Sequence, residues 1–65
     1  MTFTEQEIYK IMVAIRKERH SIYDKILSAR HDKRLSVHTR ANLIEALEKS
    51  YATCNQILQK IAKEN

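Results

Sequence analysis

The sequence predicts an all-α protein, an antiparallel two-helix hairpin that closes into a four-helix bundle as a homodimer. Three observations lead there. The 65 residues include no Gly and no Pro, so the residue best suited to positive φ and the usual helix breakers are both missing. Strong helix formers (Ala, Leu, Ile, Glu, Lys, Gln, Arg) dominate the composition. Two long apolar patterns of helical period flank one polar stretch, Arg30 to Arg34, which leads into Leu35 and Ser36.

The first helix opens at Thr4-Glu5-Gln6-Glu7, where Thr4 fits as N-cap and Glu7 as the third helical residue of a capping box. Phe3 and Ile8 have the spacing of a hydrophobic staple, and Glu5 and Glu7 suit the positive helix end. Ile8, Met12, Ile15, Ile22, Ile26 and Ala29 then recur in steps of four and three, interrupted once by Arg19. Ile11, Ala14, Tyr23 and Leu27 widen this stripe. The helix is expected over about 5–31, roughly 40 Å at 1.5 Å per residue. Arg30, His31 and Lys33 lie where cations meet its negative end.

A bend follows over about 32–36, with Ser36 as N-cap of a second helix over about 37–63 and fraying at Glu64 and Asn65. Its stripe is Ile44, Leu47, Tyr51, Cys54, Leu58 and Ile61, flanked by Leu43, Ala46, Ala52, Ile57 and Ala62. The competing arrangement is one uninterrupted helix. A short bend folds the second helix back on the first. Positions whose numbers sum to about 67 should then stand level, setting Ile8 by Leu58, Ile15 by Tyr51, Ile26 by Ala41 and Arg19 by Glu48.

One domain over residues 1–65 is all this length allows, and so short a chain buries little surface alone. Cys54 is the only cysteine, which excludes an intrachain disulfide and a thiolate zinc site. Self-association through Ile15, Ile22, Leu47 and Leu58 is the expected remedy. The layout resembles the plasmid-encoded hairpin protein Rop, in length and arrangement and in no motif.

The charge is localised. Residues 16–40 hold eight Lys or Arg against three acids and all three histidines, whereas residues 1–15 sum to −1 and 41–65 to zero. Arg16, Lys17, His20, Arg30, Lys33, Arg34, His38 and Arg40 are the candidate partner- or phosphate-binding residues. Ser36, Thr39 and the first amides of the second helix would add to such a site. The bland alternative is a solvated bend whose cations offset the helix dipole. Arg40 stands in the first turn of the second helix, against that dipole and with no structural gain that the sequence reveals.

Other chemistry is poorly supported. No two histidines have the helical i, i+4 spacing of metal ligands, so no metal or cofactor is expected. Cys54 falls on the apolar stripe and reads as a small core residue. No Gly-rich loop, paired carboxylates or nucleophile motif points to an enzyme. The opening Met1-Thr2-Phe3-Thr4-Glu5 does not read as a signal peptide, and no apolar run is long enough to span a membrane, so a cytoplasmic protein is expected.

The functional expectation is a small basic interaction module that binds and regulates, by inhibition, a partner protein of acidic character through its helix faces and bend. Small regulators carried by phages and plasmids have this size. The alternative is a dimeric hairpin of Rop-like layout that contacts RNA or DNA phosphates. Tyr23 is the only aromatic residue within the basic block, which is thin for single-stranded nucleic acid.

Overall fold

A computed structural model describes residues 3–64, Glu64 by its backbone only. Helix α1 spans Glu5–His31 and helix α2 spans Val37–Glu64. The chain is a helical hairpin, and the uninterrupted helix is ruled out. α2 stays helical through Glu64, where fraying was expected; Asn65 lies outside the described residues.

Local chemistry sets both helix starts. The Thr4 hydroxyl accepts the Glu7 amide at 3.2 Å while the Glu7 carboxylate accepts the Thr4 amide at 2.9 Å, a complete capping box. At α2 the Ser36 hydroxyl accepts the Thr39 amide at 3.1 Å, and the Ser36 carbonyl accepts the Arg40 amide at 2.9 Å, the first bond of the helix. α1 stops because Asp32 leaves the helical region, at φ −83° and ψ 101°, while its amide still bonds the Ala29 carbonyl. No described residue has positive φ, so this bend is made without glycine.

The apolar stripes of the two helices face each other. Ile22, Ile26 and Cys54 form the buried core, with Ile15, Leu47 and Tyr51 packed around it. Ala29 is buried as well. Cys54 is a free thiol inside this cluster, the small core residue that its place on the stripe implies.

The register differs from the expected one. Arg19 bonds Asn55 rather than standing by Glu48, and Tyr23 stacks obliquely on Tyr51, so facing numbers sum to 74. Partners therefore lie about seven positions, two turns, further along α2 than expected. Side chains of both helices lean toward their own N-termini, which in an antiparallel pair accounts for about two of the seven. The rest comes from the bend. Its extended start carries the chain onward before α2 begins, and Val37 in the first turn is left 80% exposed.

Candidate functional site

One face of the hairpin carries a shallow groove between the helices. Met12, Arg16, Arg19, Tyr23 and Arg30 line it from α1 in steps of three, four and seven; Leu58, Asn55, Tyr51 and Glu48 line it from α2. His20 borders it beside Arg16. Steps of this kind keep residues on one side of a helix. The groove residues of α1 thus form a second stripe running beside the apolar one.

Arg19 anchors the groove. It is half-buried, and its Nη1 donates to Asn55 Oδ1 at 2.7 Å. That partner is a neutral amide, so the guanidinium is oriented without being neutralised. Tyr23, 47% exposed, faces half-buried Tyr51 with ring centroids 6.4 Å apart and planes tilted by 45°. Three arginines thus share the groove with one carboxylate, Glu48. The arrangement suits a ligand that brings carboxylate or phosphate groups together with a flat or apolar surface.

The eight basic residues singled out by sequence separate into three groups. Arg16 and His20 lie together at one part of the groove, and Arg30 lines it further along α1, beyond Tyr23. His20 also lies 3.6 Å from Asp24, an exposed pair one turn apart. Lys17 is exposed and does not line the groove. Lys33, Arg34 and His38 are exposed at the bend, and Arg40 is folded into it.

The bend uses two of its cations internally. Arg34 Nε and Nη2 donate to the two Asp32 carboxylate oxygens at 3.1 and 3.4 Å, and the Arg34 amide donates to the same carboxylate at 3.0 Å. Hydrogen bonds from the Arg34 side chain, then from its amide, hold the Asp32 carboxyl below the ordinary carboxylate range, and the same contact raises Arg34. Arg40 Nη2 donates to the backbone carbonyls of Asp32 at 2.8 Å and Leu35 at 3.2 Å. The absence of structural gain expected for Arg40 is therefore corrected. Its guanidinium satisfies carbonyls that the bend leaves without helical partners, which offsets an unfavourable place in the dipole.

Sequence reasoning missed Arg19, Tyr23, Tyr51 and Asn55 as groove residues. The available signal was the recurrence of Arg16, Arg19, Tyr23 and Arg30 at helical spacing, in which Arg19 looked like a mere interruption of the apolar stripe. Ser36 and Thr39 are tied to each other, their hydroxyls 2.9 Å apart, in capping α2. Of the four residues expected to drive self-association, Ile22 is buried inside the hairpin, while Ile15, Leu47 and Leu58 are half-buried. Among the described residues no helix is long and apolar enough to cross a membrane. No protein-family model, curated protein or solved structure matches the chain.

Proposed function

We propose that this chain is a small cytoplasmic interaction module that binds an acidic segment of a partner protein in the arginine–tyrosine groove and regulates that partner by covering the segment. The observation that carries this reading is Arg19, a half-buried cation held in place by the neutral Asn55, with Arg16 beside it and Arg30 further along the same groove. Arg and Tyr are the residue types that most often dominate protein–protein binding energy, because each offers wide contact area with directed hydrogen bonds. A cytoplasmic setting agrees with the single, free Cys54. In this reading the hairpin works as a homodimer, with a second copy covering apolar surface that two helices leave open.

One observation favours a second reading. Tyr51 joins Tyr23 in the basic groove, so two aromatic rings are available for base stacking among arginines. A single-stranded RNA or DNA partner would use the same residues differently, with phosphates on the arginines.

Calorimetric titration with an acidic helical peptide and with an oligonucleotide, each across a salt series, separates the two. The peptide is expected to bind with modest salt dependence, and the oligonucleotide weakly with a steep slope. Reversing Arg16 and Arg30 to Glu should weaken peptide binding at least tenfold, about 1.4 kcal/mol. Lys33→Glu should leave it unchanged. Binding that responds to Lys33→Glu and ignores the groove reversals would move the site to the bend.

A further inference from the structure

We infer that a second copy of this chain docks on the face opposite the groove, where Leu35, Leu43 and Leu47 line a shallow hollow together with Ser21 and Ser28 of α1. The inference deepens the homodimer of the proposed function by naming its interface, and it rests on the groove reading in one respect: the charge that suits the groove for an acidic ligand keeps it out of self-association.

Area gives the first argument. The hairpin exposes 5459 Å² at 7.7 kDa. A compact monomer of that mass exposes about 4,300 Å², so the excess is about 1,100 Å². A stable interface covers about 800 Å² on each partner, and one extra layer on one face accounts for most of that excess. Leu43 is 42% exposed, and Leu35 and Leu47 are half-buried, so none is fully covered by its own chain.

Charge decides which face. In a two-fold dimer the same patch meets itself. Pairing groove to groove would set three arginines and one glutamate against the same set, a net repulsion. The Leu43 face carries both Asp24, exposed although it also lies 3.6 Å from His20, and Lys25, and its Asp32 is already bonded to Arg34. Such a patch is self-complementary, since Asp24 of one copy can lie beside Lys25 of the other. Ser21 and Ser28 add little bulk, which lets helix axes approach closely. Joined this way, the two copies leave both grooves facing outward on opposite sides.

The test is sedimentation equilibrium on the full chain from low micromolar to millimolar concentration. The wild type is expected at twice its chain mass, Leu43→Glu at least tenfold weaker in dimerisation, and Arg16→Glu unchanged. Should Leu43→Glu fail to fold, thiol labelling of Ser28→Cys gives a second readout. Its labelling should slow as protein concentration rises, while Tyr9→Cys, at a position 69% exposed, labels equally at all concentrations. A monomer throughout, a dimer indifferent to Leu43→Glu, or concentration-independent labelling at position 28 would overturn the inference. A dimer lost with Leu43→Glu but without peptide affinity would sink the groove reading and leave this one standing.

Discussion

Arg40 and Lys33 show how two cations of one short segment come to have different work. Arg40 reaches back across the bend and donates to two backbone carbonyls, whereas Lys33 is exposed and, among the described residues, takes part in no ion pair or side-chain hydrogen bond. Hydrogen bonds from charged donors contribute about 1.5–3 kcal/mol when shielded and less near solvent. Arg40→Ala is therefore expected to destabilise the fold by about 1–3 kcal/mol. Lys33→Glu should change stability by about 0.5 kcal/mol or less. Urea denaturation of both variants checks this, and equal midpoints would deny Arg40 its bracing role. Arg34 is intermediate in kind. A glutamate there would face Asp32, so charge reversal at position 34 would disturb the bend as well as any binding.

Each helix begins on a cap that its own neighbours complete. The Thr4 hydroxyl and the Glu7 carboxylate satisfy two amides that α1 would otherwise leave open. Thr4→Ala should cost about 0.5–2 kcal/mol, read as a lowered thermal midpoint with little change in binding. The bonds from the Thr4 amide and hydroxyl hold the Glu7 carboxyl below its ordinary value of 4.5, as Arg34 holds Asp32 below 3.8. For a depressed acid, the folded state binds fewer protons than the unfolded one at low pH. The stability from these two carboxylates is thus present above their ordinary values and lost as pH falls through their lower folded-state values. The melting midpoint should drop as pH falls below about 4. Replacing Glu7 with Gln should shrink that drop. An identical acid-side fall in the variant would remove Glu7 from the account.

Taken whole, the molecule is a rod of 46 × 15 × 12 Å whose radius of gyration, 15.0 Å, exceeds the about 11 Å expected of a compact chain of this length. Among the described residues only Ile22, Ile26, Ala29 and Cys54 are buried apolar residues, a small core for a chain that loses backbone freedom at about 1–2 kcal/mol per ordered residue. A second copy that binds only the folded chain stabilises it by mass action. The thermal midpoint should accordingly rise with protein concentration. A midpoint constant over a hundredfold dilution would mean that the hairpin stands alone.

The two helices, their caps and the residues that turn inward were legible in the chain because each is a local matter. A capping box lies within four residues, and an apolar stripe is a spacing along one helix. Thr4 with Glu7, Ser36, and the stripe through Ile22 and Ile26 could all be read in this way. The pairing across the hairpin could not. It depends on how far the bend carries the chain before α2 turns back and on the lean of side chains in opposed helices, and neither is written in any single window. The shift of about two turns brought Asn55, not Glu48, to Arg19 and Tyr51 to Tyr23, and so made a groove from residues that are distant in sequence. The role of Arg40 was hidden for the same reason. Its partners are carbonyls of Asp32 and Leu35, placed within reach only when the bend has closed.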